Sequence, residues 1–141
     1  MFRTKNHVLI TFAALALLIG GCSGGVCDVE EVCTCDVPGA CSWDCPDGGC
    51  EYEARNAGTA TFTCDGGDCD LSSASQGAVT LECLGGGCTA VSTGQGELTV
   101  SCEGGDCAVT CSGQGHCVIL DCEAGGCSCE STIVTAVCDE V

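Results

Sequence analysis

Residues 64–88, CDGGDCDLSSASQGAVTLECLGGGC, contain one complete repeat of this chain and the beginning of the next. The glycine-rich hexapeptide recurs at intervals of 19 or 20 residues, starting at Cys45, Cys64, Cys83, Cys102 and Cys122. A second turn signal, Ser-Gln-Gly or Gly-Gln-Gly, stands between hexapeptides at 75–77, 94–96 and 113–115. Units of this length with two turns each indicate a repeat architecture.

Between the turns, apolar or small residues alternate with Glu, Asp, Thr and Ser. This period of two predicts strands with one buried and one solvent-facing side, since successive side chains of a strand point to opposite faces. The positions expected to face inward are Tyr52, Ala54, Ala60, Phe62, Leu71, Ser73, Val79, Leu81, Ala90, Ser92, Leu98, Val100, Val109 and Ile119, together with Cys50, Cys69, Cys88, Cys107, Cys111 and Cys117.

A single flat sheet would leave this apolar face uncovered, because no segment of the repeats has the pattern of a covering helix. If the chain coils so that the two strands of each unit face one another, the apolar face is buried between them. The sequence therefore predicts an all-β, disulfide-stapled β-solenoid of about five two-strand coils stacked at about 4.8 Å. The alternative is an antiparallel meander or sandwich in which each turn is a hairpin.

The first 21 residues have the pattern of a secretory signal. Arg3 and Lys5 precede the mostly apolar residues 8–19, and two glycines follow. Twelve helical residues cover only about 18 Å of a hydrocarbon core of about 30 Å, so this segment is too short for a permanent transmembrane helix.

The sequence Leu18-Ile19-Gly20-Gly21-Cys22 resembles the lipobox of bacterial lipoproteins. The resemblance implies cleavage before Cys22, acylation of that cysteine with palmitate-type chains and attachment to a membrane of the cell envelope. Two or three acyl chains hold a protein far more firmly than one. Ser23 after the cysteine favours the outer membrane.

The chain has 19 cysteines, and setting Cys22 aside for the lipid leaves an even number, as complete pairing in an oxidising compartment requires. A C-x-G-G-x-C turn returns its last cysteine beside its first. The predicted pairs are Cys45 with Cys50, Cys64 with Cys69, Cys83 with Cys88, Cys102 with Cys107, Cys122 with Cys127 and, at the opposite turn, Cys111 with Cys117, while Cys129 with Cys138 is a further candidate.

The partners of Cys27, Cys33, Cys35 and Cys41 cannot be assigned from the sequence. An alternative for the whole set is a thiolate cluster for zinc or copper(I), although such clusters belong mainly to reducing compartments. We predict disulfides and no metal site.

Removal of the signal leaves 20 acidic residues and Arg55 as the one base, a net charge of about −19 at neutral pH. So negative a surface repels phosphate backbones, which argues against nucleic-acid binding.

Acidic residues of the hexapeptides, Asp65, Asp68, Glu103 and Asp106, loosely resemble the glycine-aspartate loops of calcium-binding repeat-in-toxin proteins. The consecutive G-x-G-x-D run of those proteins is absent here. Calcium requires six to eight oxygen ligands, so we interpret these acids as solubilising.

Two further patterns have structural explanations. His116 precedes Cys117, but pairing with Cys111 accounts for that cysteine, so we predict no enzyme and no cofactor. Thr61, Thr80 and Thr99 recur in one register, as they do on ice-binding solenoids, yet exposed strands favour threonine by propensity alone.

The expected organisation is a signal peptide in 1–21, a lipidated tether in 22–26, a cysteine-rich cap in 27–44, a repeat domain in 45–130 and a second cap in 131–141. The expected function is a structural or interaction module of the cell envelope, with the membrane as one partner through its lipid and an envelope protein as another. The alternative is a metal-binding envelope protein.

Overall fold

The structure is a computed structural model that describes residues 24–55, 58–132 and 137–140. The expected signal peptide and the acylated Cys22 lie outside these residues. The strands are β1 Gly24–Val26, β2 Val32–Cys35, β3 Ala40–Cys45, β4 Glu51–Ala54, β5 Thr59–Cys64, β6 Asp70–Ser73, β7 Val79–Cys83, β8 Thr89–Ser92, β9 Leu98–Ser101, β10 Ala108–Cys111, β11 His116–Leu120, β12 Ser128–Ser131 and β13 Val137–Glu140.

These strands form two parallel sheets. Sheet A has the order β1-β3-β5-β7-β9-β11-β13, and sheet B has the order β12-β10-β8-β6-β4-β2. Odd and even strands alternate along the chain, so each coil contributes one strand to each sheet. The predicted β-solenoid is confirmed, and the meander alternative is wrong because every pairing between the described strands is parallel.

The register of the central coils equals the sequence repeat. Cys45 is the Cα partner of Cys64, and Cys64 that of Cys83, so equivalent positions stack directly on one another at intervals of 19 residues. The interval is 18 residues at the first coil, where Gly24 pairs with Ser42, and 20 at β12, where Ala108 pairs with Ser128.

The solenoid extends beyond the hexapeptide repeats on the N-terminal side. Residues 24–26, expected to belong to the tether, form β1, and the segment expected as a cap contributes β2 and β3 in register with the following coils. At the other end, β13 adds a strand to sheet A beside β11. The coils therefore number about six rather than five, because these segments keep the coil length without the hexapeptide.

The core lies between the two sheets and follows the predicted alternation. Tyr52 and Phe62 face each other across it with ring centroids 4.6 Å apart, and the Tyr52 hydroxyl donates to the Thr63 carbonyl at 2.8 Å. The remaining core consists of aliphatic side chains and the cysteines of the turns, buried together in one cluster. All of the inward positions predicted from the sequence are buried, including Ser73 and Ser92.

The hexapeptide turns are stacked as closely as the strands. The fourth residue of each hexapeptide is glycine with φ between 79° and 83°, a conformation that costs other residues strain. This conformation directs the carbonyl group of the glycine towards the preceding coil. There Gly49 N–H donates to Gly67 O, and Asp68 N–H donates to Gly86 O, each at 2.9 Å. Hydrogen bonds between coils thus continue through the turns.

We predict that Gly85→Ala destabilises the fold by about 1 to 3 kcal/mol, because a Cβ there would overlap the backbone of Gly66 and Gly67 in the preceding coil. Gly39→Ala is the matched control, since nothing lies within 4 Å of its would-be Cβ. Denaturant unfolding of the oxidised variants measures both changes. Equal stability of the two variants would contradict the stacking described here.

We also predict that Tyr52, the only tyrosine of the chain, resists ionisation in the folded protein. Burial raises the pKa of its hydroxyl well above the usual value of about 10, and the negative charges of Asp44 and Asp65 raise it further. Folded protein should therefore show little phenolate absorbance just above pH 10, whereas unfolded protein should titrate normally. Because the folded pKa is the higher one, the stability contribution is complete below about pH 10 and declines as the pH rises towards that folded value. Normal titration of the folded form would contradict this burial.

Candidate functional site

The turn disulfides are the most distinctive chemical feature of the molecule. Each hexapeptide joins its first and last cysteine, with Cα atoms 6.2 to 6.3 Å apart, at the turn from sheet A to sheet B. The pairs are those that the spacing predicts: Cys45–Cys50, Cys64–Cys69, Cys83–Cys88, Cys102–Cys107 and Cys122–Cys127. They form a column along one side of the rod.

The opposite turn, from sheet B to sheet A, has disulfides in only some coils. Cys111 is joined to Cys117, as predicted, and Cys35 to Cys41. In the coil that joins β6 to β7, which has no cysteine at this turn, the hydroxyl of the buried Ser75 accepts from Gly77 N–H at 3.1 Å.

The sequence did contain a signal for the second of these bonds. Cys35 and Cys41 stand four 19-residue repeats before Cys111 and Cys117, the same positions of the coil. Cys27 joins Cys33 in the first coil across a turn that is one residue longer than the hexapeptide turn. Cys129 is also disulfide-bonded, but the side chain of Cys138 lies outside the described residues, so that pairing stays a prediction.

Stacking brings sulfur atoms of neighbouring turns together. The Sγ atoms of Cys45, Cys50 and Cys69 lie within 4.8 Å of one another, as do those of Cys64, Cys69 and Cys88. All of these sulfurs are in disulfide bonds, and the metal ligand that cysteine supplies is the thiolate. Within the described residues, these two triads are the groups with the spacing of a metal site.

The acidic residues of the turns take a different arrangement. Asp68 and Asp106 have φ of 55° and 57° at a position occupied by glycine in the other hexapeptides. The Asp68 carboxylate lies over Gly87 of the next coil, where a Cβ would collide with it, and Asp106 lies over Gly126 in the same way. These two acids are separated by an intervening coil, so they do not share an ion.

Two other predicted features occupy defined positions. Cys117 is buried and bonded to Cys111, so it offers no thiol beside His116. Thr61, Thr80 and Thr99 are Cα partners on the outer face of sheet A. Their column continues to Ser42 on one side and to Val118 on the other.

Among the residues that the structure describes, no helix is long and apolar enough to cross a membrane.

Comparison of the chain with protein-family models, with curated proteins and with solved structures found no significant match.

Exposure distinguishes the last turn disulfide from the others of the column. Cys122 and Cys127 are only partly buried, whereas the other eight hexapeptide cysteines are at most 1 % exposed. We therefore predict that limiting dithiol reduces Cys122–Cys127 before Cys64–Cys69, because exchange requires access to a sulfur. Differential alkylation followed by peptide mass mapping gives the order. Simultaneous labelling of both pairs would show that reduction follows global unfolding instead.

Proposed function

We propose that this protein is a lipid-anchored structural or interaction module of the bacterial cell envelope, built on a disulfide-rich repeat scaffold. The observation that carries the proposal is the oxidised state of its cysteines. Each cysteine from Cys27 to Cys129 is disulfide-bonded. Disulfides at this density form and persist in oxidising compartments, which agrees with export.

The scaffold needs these bonds because its interior is small. Aromatic side chains of the chain beyond the signal segment are limited to Trp43, Tyr52 and Phe62, and several inward positions are alanine or serine. Closing a ring of six residues stabilises the fold by about 2 kcal/mol through the entropy of the unfolded chain. One such ring per coil compensates for the thin core.

The position of the proposed anchor supports the module interpretation. β1 begins at Gly24, two residues after Cys22, so acyl chains on that cysteine would lie beside the first coil. The remaining coils would extend from that end for about 24 Å at about 4.8 Å each. Both sheets would then present their outer faces to other envelope components.

The test is the mass of the intact protein purified from its native envelope. We expect acylated Cys22 as the first residue, 18 hydrogens fewer than the reduced chain because of nine disulfides, and no bound metal. Cys22→Ser is the control and should lose both the acyl mass and membrane association. A soluble wild-type chain with residues 1–21 still attached would contradict the proposal.

Metal sequestration is the second candidate, and the sulfur triads are the observation that favours it. Reduction of the column would place thiolates of neighbouring coils at distances suited to a soft metal such as copper(I) or zinc. The same mass measurement separates the two candidates, because free thiols with bound metal would support sequestration.

A further inference from the structure

The outer face of sheet B carries a shallow groove of about 540 Å³ that extends from β2 to β8. Outward side chains of four consecutive strands line it in two rows that follow the rod axis. The first row is Val32, Glu51, Asp70 and Thr89, and the second includes Glu53, Ser72 and Val91. We call this surface the sheet B groove.

Two carboxylates of the sheet B groove lack a compensating charge. Glu51 and Asp70 are Cα partners on adjacent strands, and both are exposed. Like charges directly opposite one another destabilise a sheet. The Thr89 hydroxyl donates to the Asp70 carboxylate, but this neutral donor leaves the negative charge in place.

The one basic side chain near the groove is already engaged. Arg55 forms an ion pair with Glu53 and donates from Nε to its Oε1 at 2.7 Å. Arg55 is also the only lysine or arginine beyond the signal segment. A cation that neutralises Glu51 and Asp70 must therefore come from another molecule, and a second copy of so acidic a chain is repelled.

Apolar side chains stand at both ends of the sheet B groove. Val32 is 55 % exposed and Val91 is 41 % exposed, two of the few large hydrophobic side chains that the described surface leaves open. A bare metal ion would gain nothing from them. The described residues also place no three carboxylates close enough to coordinate an ion. Valines at the ends and carboxylates between them suit a ligand that has both apolar and cationic groups.

We propose that the sheet B groove binds an extended peptide segment in which lysine or arginine and apolar residues follow one another at every second position, so that both kinds of side chain lie on the face towards the groove. The four lining strands span about 14 Å, which an extended peptide of four to five residues covers. Basic side chains would contact Glu51 and Asp70, and apolar ones would pack on Val32 and Val91. This inference rests on the proposed role as an interaction module and specifies the chemistry of its partner.

The test uses the oxidised full chain and a fluorescent octapeptide, Val-Ser-Lys-Ser-Val-Ser-Lys-Ser, in which lysine and valine share one face of the extended chain, with binding followed by anisotropy. We expect the double variant Glu51→Gln/Asp70→Asn to weaken binding about tenfold. The matched control, Glu82→Gln/Glu97→Gln, removes the same charge outside the groove and should weaken binding less than about threefold. All four side chains are exposed, so both variants should fold. Equal losses in the two variants would overturn the proposal.

A second comparison tests the apolar contacts. Val32→Thr/Val91→Thr should weaken the lysine-valine peptide several-fold while leaving octalysine almost unaffected. Displacement of the peptide by low millimolar calcium but not by equal ionic strength of sodium would assign the groove to a metal ion and also overturn the proposal. Neither measurement depends on acylation. Failure of a protein acylated on Cys22 to bind the peptide would therefore refute the peptide site and leave the proposed function standing. Peptide binding by a protein without acyl groups would support the peptide site and refute the lipid anchor.

Discussion

The structure depends on the direct stacking of each 19-residue coil on the one before it. In-register pairing places Cys45, Cys64 and Cys83 beside one another in sheet A, and it places glycine over glycine at the turns. Stacking at the spacing of β-strands leaves little room for side chains between adjacent turns, which is why the hexapeptides are rich in glycine and why each of Asp68 and Asp106 faces a glycine in the next coil. It also brings the disulfides into one column and the outward residues into rows.

The turn disulfides both stabilise the fold and limit the chemistry that its cysteines can carry out. A two-sheet interior with few aromatic residues buries limited apolar area, and disulfides across the turns reduce the entropy of the unfolded chain. The same bonds consume the thiols that could bind a metal or act as nucleophiles. What the coils leave available for recognition is therefore their outer surface, where acidic, hydroxylated and a few apolar side chains alternate in regular rows.

Much of this fold could be predicted from the sequence because its constraints are local. The spacing from Cys64 to Cys69 fixes a turn, and the alternation around Leu81 fixes the face of a strand. The first coil lacks the hexapeptide, so its local sequence indicates a repeat less clearly. Cys35 and Cys41 nevertheless occupy the same repeat positions as Cys111 and Cys117. The sheet B groove was not predicted, although Glu51 and Asp70 are one 19-residue repeat apart and therefore become neighbours once the coils are in register. The residues between the two rows that give the groove its volume depend on how the outer face of sheet B curves, which the repeat spacing does not specify.

The alternation of Asp68, Gly87, Asp106 and Gly126 at one turn position has an evolutionary consequence. Each aspartate carboxylate occupies the space above the glycine of the following coil, so a second side chain cannot stand there. Duplication of a coil that carries aspartate at this position would set two aspartates against each other, whereas duplication of a coil that carries glycine would not. A rod that lengthens by copying an aspartate coil must therefore copy a glycine coil with it, a unit of 38 residues in this chain.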